Sequence, residues 1–254
     1  MRTRSNRRVT PIVCSLAAAS LLLVACGDSV LGGDQIRGSG DVTTETRPIG
    51  DVDRIVLAGE GAVLLGTGAD GEIEVETDDN LHDRIETEVS DGTLTISTDD
   101  GIDIDPTDGV IYRLGCPRIS AATLAGAGTI DLSTCTTTGR LELTLAGAGL
   151  IRAPDLDVSE LQASLPGAGS IEVDGVADRL ELVLSGAGDI EGVDLRAAEA
   201  NVDSTGAVSA SLWVTERLDL RMTGAGSIRY HGDPSVTSTI TGVGRVETLG
   251  PKAP

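Results

Sequence analysis

The sequence predicts an all-β protein, a parallel β-helix or β-solenoid built from repeats of about 20 residues. Two observations support this fold class. A glycine triplet of the form Gly-Ala-Gly recurs at nearly constant spacing, and a repeat period near 20 residues is typical of solenoids in which each repeat forms one turn. Between the triplets apolar and polar residues alternate, as in Arg140-Leu141-Glu142-Leu143, which is the pattern of a strand with one buried face.

The triplets define the repeat. We expect their glycines to form corners between strands, because glycine readily adopts positive φ, and we expect the central alanine to face a crowded interior. A degenerate copy, Ser204-Thr205-Gly206, fills the one gap in the series, and an earlier relative lies at Gly59-Glu60-Gly61. The predicted corner glycines are Gly126, Gly128, Gly147, Gly149, Gly167, Gly169, Gly186, Gly188, Gly224, Gly226, Gly242 and Gly244.

Apolar residues occupy two fixed positions around every triplet, and stacking would turn each position into a column of the core. The chain has no Phe, one Trp and two Tyr, so these columns must be built from small aliphatic side chains. Two residues before the triplets stand Leu124, Leu145, Leu165, Leu184, Val202, Met222 and Ile240. Four residues after each triplet begins stand Ile130, Ile151, Ile171, Ile190, Val208, Ile228 and Val246.

The remaining boundaries follow from composition. From Gly38 to about Ile111 the pattern is less regular but still that of strands, and we expect this part to start the same sheets. The predicted solenoid domain therefore covers residues 38–250, with a short tail at 251–254.

The amino-terminal residues predict a secretory leader over residues 1–25, since four arginines precede an apolar stretch too short to span a bilayer. Leu23-Val24-Ala25-Cys26-Gly27 resembles the lipobox of bacterial lipoproteins, which implies cleavage before Cys26 and acylation of that residue. The alternative is an ordinary cleaved leader that happens to end at a cysteine. Residues 26–37 would be the lipidated cysteine and a flexible tether, holding the domain on the extracytoplasmic side of the cell membrane or at the cell surface.

Charge limits the partners. The chain carries 40 acidic and 19 basic residues, and removing residues 1–25 would leave 15 basic residues against 40 acids. Such an excess of negative charge argues against nucleic acid and against docking on anionic lipid, so membrane contact is expected through the lipid alone. A protein or an envelope polymer remains as the expected partner.

Two cysteines, Cys116 and Cys135, would remain besides the lipidated one. An even pair in an oxidising compartment predicts a disulfide, with two separately buried thiols as the alternative.

Several segments together resemble a known family. They are Gly38-Ser39-Gly40-Asp41-Val42, Ile55-Val56-Leu57-Ala58-Gly59-Glu60-Gly61, Asp78-Asp79-Asn80-Leu81, Ile85-Glu86-Thr87-Glu88-Val89 and Gly92-Thr93-Leu94-Thr95-Ile96, followed by the glycine triplets. This combination resembles the putative autotransporter adhesin head GIN domain, also called domain of unknown function 2807. The resemblance covers residues 38–250 and implies a right-handed β-helix-like fold.

Catalytic and nucleotide-binding motifs are poorly represented. His82 and His231 are the only histidines and Lys252 the only lysine, so we expect no enzyme and no catalytic residues. The Gly66 to Gly71 segment has nucleotide-loop spacing but precedes a strand pattern rather than a helix, so no nucleotide is expected.

Two acidic features could bind calcium, although solvated acids are the favoured interpretation of both. One is a row of residues that stand five positions before the triplets, namely Glu142, Gln162, Glu181, Glu199 and Asp219. Arginines two positions earlier would offset the negative charge of this row, namely Arg140, Arg179 and Arg217. The other is a loop that contains Asp99, Asp100, Asp103, Asp105 and Asp108. No other cofactor is expected.

The leading functional hypothesis is a lipid-anchored, adhesin-like binding or structural module without catalysis. The alternative is a cell-envelope sensor or scaffold that recruits membrane proteins. A carboxylate-dependent enzyme acting on polysaccharides is the less favoured third hypothesis.

Overall fold

The computed structural model describes residues 34–99, 101–115, 118–135 and 137–252, and strands account for most of them. The first eleven strands are β1 (Asp34–Arg37), β2 (Val42–Pro48), β3 (Arg54–Leu57), β4 (Glu60–Leu65), β5 (Glu72–Asp78), β6 (Ile85–Ser90), β7 (Thr93–Thr98), β8 (Ile102–Asp105), β9 (Ile111–Leu114), β10 (Ala121–Leu124) and β11 (Ala127–Asp131). A 3₁₀ helix, His82–Arg84, precedes β6.

Seven further strands form the regular part of the stack. They are β12 (Thr138–Leu145), β13 (Ala148–Leu165), β14 (Ala168–Leu184), β15 (Ala187–Ser204), β16 (Ala207–His231), β17 (Ser235–Gly242) and β18 (Arg245–Gly250). Consecutive turns pair in parallel, with register shifts where a strand bends, for example between Ala153 and Leu156. The prediction of an all-β parallel solenoid is confirmed, with about six turns.

Stacked glycines set the distance of closest approach at the corner. A Cβ added to Gly147 would lie 1.8 Å from the Gly126 carbonyl oxygen, and one added to Gly149 would lie 1.9 Å from that of Gly128. Gly149 also has φ +142°, which a residue with a side chain rarely adopts. The corner therefore needs glycine for two reasons, its backbone conformation and the backbone of the turn below.

The central alanine does not face the interior, so that prediction was wrong. Ala148 is exposed, and its backbone N–H donates to the Gly126 oxygen at 2.9 Å. The interior beside this corner is filled by Leu145 and Ile151, both fully buried. The crowding that the sequence indicated lies between the glycines of successive turns rather than around the alanine.

The degenerate repeat is shifted by two residues from its predicted place. Gly206 stacks on Gly186, and Ala207 pairs with Ala187, so the triplet of this turn is Gly206-Ala207-Val208. Ser204 and Ala210 consequently occupy the core columns where Val202 and Val208 were predicted. Because side chains alternate with a period of two, a two-residue shift keeps every side chain on its face, and the apolar pattern could not distinguish the two alignments.

The amino-terminal part starts the same sheets, as predicted, but closes them in a different way. β3 pairs in parallel with β7 and β10, and β4 pairs in parallel with β9 and β11. Beyond them β5 pairs antiparallel with both β2 and β9, and β6 pairs antiparallel with β7. These antiparallel strands end the stack on this side.

The ordered domain begins before residue 38. Residues 34–37, predicted to belong to a flexible tether, form β1, which pairs in parallel with β8. Ile36 packs against the edge of the core, which gives this short strand a buried contact.

The carboxyl-terminal tail also contacts the domain. The Lys252 ammonium donates to the Val193 carbonyl at 2.6 Å and lies 4.9 Å from the centre of the Trp213 ring. Residues 253 and 254 lie outside the described residues.

Candidate binding surfaces

The outward side of the strands that precede the corners presents two adjacent rows of side chains. In the first row the sign of the charge alternates from turn to turn. Arg140 lies 3.5 Å from Glu160, and Arg179 lies 3.4 Å from Glu199. The strand register gives the full row as Arg140, Glu160, Arg179, Glu199 and Arg217.

The second row corrects the predicted line of acids. Asn201, not Glu199, pairs with Glu181 and Asp219, because of the two-residue shift of the degenerate repeat. The row is therefore Glu142, Gln162, Glu181, Asn201 and Asp219, in which acids and amides alternate. Neighbouring strands lie about 4.8 Å apart, so an intervening amide roughly doubles the separation of like charges.

We call these two rows together the ladder face. Its charges are compensated within the face, since the first row alternates in sign and Arg140 also donates to the Gln162 side-chain oxygen at 2.8 Å. The arginines predicted to temper the acids are thus in place, with Glu160 and Glu199 between them. Solvent-exposed pairs of this kind contribute only about 0.2–1 kcal/mol each, so the arrangement mainly favours one register and presents ordered polar groups.

A cleft of about 630 Å³ adjoins the ladder face, and Arg140 belongs to both. Its apolar lining includes the buried residues Ile49, Val52 and Ile119. At its rim the Ser120 hydroxyl donates to the Asp53 carboxylate at 3.1 Å. The other polar side chains that line the cleft are Asp51, Asp70, Glu72 and Arg118.

The loop proposed for calcium does not gather its acids. Asp99 lies 3.3 Å from the Arg84 guanidinium, Asp103 accepts from Gln35, and Asp105 accepts from Arg37. Among the described residues no group of three or more His, Cys, Asp or Glu side chains is close enough to hold a metal ion. Asp100 lies outside the described residues, and the structure does not place Asp108 with the others.

Glu60 is a titratable residue that the sequence interpretation passed over. It occupies the position that alanine takes in later triplets and pairs with Ala127. Its pKa is raised, chiefly by burial and further by the negative charges of Asp103 and Asp105. Oxygen Oε1 is buried and has no hydrogen-bond partner among the described residues.

Asp78 is a second residue missed in the sequence. It is buried, and its carboxylate accepts hydrogen bonds from the Gly40 amide at 2.7 Å and from the Thr107 amide and hydroxyl at 2.8 and 2.9 Å. The hydrogen bond from the Thr107 amide is the main cause of its lowered pKa. Asp78 thus joins the segment before β2 to the turn before β9.

His82 has a structural environment at the same end. It is buried, with Nε2 2.9 Å from the Thr43 hydroxyl, and Arg47 donates to its carbonyl oxygen at 2.8 Å. Glu45 lies 3.7 Å from Nδ1, and the neighbouring Arg47 holds the pKa of Glu45 below its usual value. These contacts of Thr43, Glu45 and Arg47 with His82 hold β2 against the 3₁₀ helix.

Of the three cysteines in the lipidation and disulfide predictions, the structure describes Cys135. Cys135 is buried and disulfide-bonded. Cys116, its predicted partner, lies outside the described residues, as does the proposed lipidation site Cys26, so the pairing and the acylation stay predictions.

Comparison with known proteins identifies the family. A family model described as "Putative auto-transporter adhesin, head GIN domain" matches residues 51–234, which is well over half of the chain. The chain belongs to this family. The search of curated protein sequences gave no significant match.

Crystal structures of three proteins have folds similar to that of this head GIN domain. A putative adhesin from Bacteroides fragilis has a TM-score of 0.75 and 23% identity, with 84% of this chain and 100% of the other covered. A putative lipid binding protein from Parabacteroides distasonis gives 0.67 and 24%, covering 85% and 100%. A putative adhesin from Parabacteroides merdae gives 0.64 and 23%, covering 85% and 99%. At these identities the similarity establishes the fold.

No helix in the described ranges is both long and apolar enough to cross a bilayer.

Proposed function

We propose that this head GIN domain is a non-catalytic, adhesin-like binding module, displayed outside the cytoplasm on a lipid attached to Cys26. The observation that carries the proposal is the ladder face with its adjoining cleft. The family description and the two similar folds described as adhesins agree with a binding role.

The ladder face suits recognition of an extended partner. Its side chains project from paired strands at a spacing of about 4.8 Å, so a long ligand meets the same kind of contact on each turn. The rigid backbone lowers the entropy lost on binding. Neither the ladder face nor the described lining of the cleft contains an aromatic side chain, so recognition would depend on hydrogen bonds and charge rather than on stacking.

The net charge of −21 favours neutral or basic partners, because a strongly acidic molecule repels acidic polymers at long range. Protein ligands and uncharged envelope or matrix polymers fit this requirement. Binding to a basic partner should weaken as salt is added.

Adhesion of cells that display the protein tests the binding proposal. Glu142→Lys combined with Glu181→Lys would reverse two of the five acids of the ladder face without touching the core. We expect adhesion to protein or polymer surfaces to fall about tenfold, the change that accompanies a loss of about 1.4 kcal/mol.

Glu191→Lys is the control, because it makes one such reversal at an exposed position on a strand segment that follows a corner, outside the ladder face. Equal adhesion by wild type and the double variant would contradict the proposed site. Selective capture of membrane proteins would favour the scaffold hypothesis, and release of reducing sugars from envelope glycans would favour the enzyme.

The anchor is tested separately with Cys26→Ala. We expect the variant to lose incorporation of a labelled fatty acid and to leave the membrane fraction, since two or three acyl chains are needed for stable anchoring. Labelling that persists in the variant would contradict the proposed attachment.

A further inference from the structure

The strand edges at the two ends of the stack differ in their chemistry. At the amino-terminal end the edge strands carry charges: β2 contains Glu45, Arg47 and a terminal proline, and β6 contains Glu86 and Glu88. Charges and prolines on an edge oppose pairing with another chain. At the other end β17 contains no charged residue and no proline, and all eight of its residues are exposed.

Apolar side chains are concentrated at the same end. Four of the eight exposed large apolar residues of the described chain lie in the last turn, namely Val236, Ile240, Val243 and Leu249. Val236 and Ile240 continue the core columns of Leu218 and Met222, with which they pair. Among the described residues, the interior of the solenoid is therefore only partly covered at this turn.

The backbone is uncovered as well. Within the described residues β17 and β18 each pair with β16 alone, so one side of each strand has no strand partner. A row of free N–H and C=O groups beside exposed apolar side chains is a surface suited to a further strand.

We propose that this carboxyl-terminal end, formed by β17 and β18, binds the same end of a second copy of the chain. Charge is the argument for a second copy. A symmetric dimer places a surface against itself, and this surface is neutral, with Arg245 and Glu247 as its charged residues, in a chain of net charge −21.

The two-fold arrangement also suits the backbone. Strands related by such an axis across this end run antiparallel, so their free N–H and C=O groups can pair. Arg245 and Glu247 flank Val246 with opposite charges, so that β18 has no net charge to repel its copy. The charged edges of β2 and β6 oppose growth from the other end. Association therefore stops at two copies and does not depend on the ladder face or on the lipid.

Sedimentation equilibrium of the chain from Gly33 onward tests the proposal, since this segment forms one compact unit that holds the whole described core. We expect a dimer, with backbone amides of β17 more protected from hydrogen exchange at high than at low concentration. Thr239→Glu combined with Val243→Asp should give a monomer with unchanged circular dichroism, because both side chains are exposed.

Thr144→Glu is the control, since the strand registers place Thr144 in the same column as Thr239 but on an inner turn, and this substitution should leave the dimer intact. A wild-type monomer at about 1 mM, the weak end of the affinity scale, would overturn the proposal. So would a dimer that the end variants do not dissociate, or assembly beyond two copies.

Discussion

The irregular amino-terminal part, residues 34–120, and the regular ladder of repeated turns, residues 121–250, achieve the same parallel stacking by different means. In residues 34–120 individual polar side chains join loops that differ from one another, and Asp78 alone links Gly40 to Thr107. In residues 121–250 the same contact recurs on each turn, as when Gly147 and Gly149 lie against Gly126 and Gly128.

This difference determines how each part should respond to mutation. A ladder residue meets the equivalent residue of the turn on either side, so a misfit there disturbs two interfaces at once. A residue such as Asp78 has no equivalent, and its loss should loosen one end and leave the repeats paired. Local stability is therefore expected to differ between the two parts.

The largest effect is expected for Gly149→Val in the centre of the ladder. The new Cβ would lie 1.9 Å from the Gly128 oxygen, at a φ of +142°. Overpacking and backbone strain together should lower the free energy of unfolding by about 3–5 kcal/mol, measured by denaturant titration. Ala148→Val, one residue away and exposed, should change it by less than about 0.5 kcal/mol. A large effect of Ala148→Val would instead support the prediction that the central alanine faces the interior.

The next effect is expected for Asp78→Asn, because an amide oxygen cannot replace both carboxylate oxygens as acceptor. The lowered pKa of Asp78 means that its carboxylate stabilises the fold above the unfolded pKa of about 3.9, and that this contribution is lost as pH falls through the lower folded pKa. The melting temperatures of variant and wild type should therefore differ at pH 7 and converge as the pH falls below the lowered folded pKa of Asp78.

Hydrogen exchange would locate the Asp78→Asn effect. Protection should fall in β2 and β9 before it falls in β13–β16. Uniform loss of protection through the ladder would show that the two parts unfold together.

The sequence was sufficient for the repeat but not for every contact within it. Glycine spacing and apolar alternation predicted the parallel stack and most of the core columns. They misplaced the turn at Ser204, because a shift of two residues preserves alternation and only glycine stacking selects Gly206. The misassignment of Glu199 to the acidic row has the same origin.

The amino-terminal contacts had no repeat to reveal them. Nothing in the local sequence distinguishes β5 and β6, which pair antiparallel, from strands that continue the parallel stack. Asp78 and Glu60 acquire their environments from residues 29 to 45 positions away, which no local pattern encodes.

A smaller effect is expected for Arg179→Glu on the ladder face. The substitution would place three acids side by side, since Glu160 and Glu199 flank this position. Unfolding free energy should fall by about 1 kcal/mol at low salt, and the loss should shrink in about 1 M salt, where the Debye length is near 3 Å. Arg179→Gln should lose less, and equal effects at both salt concentrations would point to packing of the arginine stem instead.

The smallest effect, opposite in sign, is expected for Glu60→Gln, which tests whether the amino-terminal part contains a locally unfavourable charge. A raised folded pKa means that ionisation of Glu60 opposes folding above its unfolded pKa of about 4.3, and that wild type gains stability as pH falls through the folded value. Glu60→Gln should therefore melt slightly higher at pH 7 and lose this advantage near pH of about 4.

Asp103→Asn should lower the pKa of Glu60 and reduce the gain from Glu60→Gln, because the Asp103 charge contributes to the raised pKa. Additive effects of the two substitutions in a double-mutant cycle would show that Glu60 and Asp103 do not interact, and burial and the Asp105 charge would then account for the raised pKa.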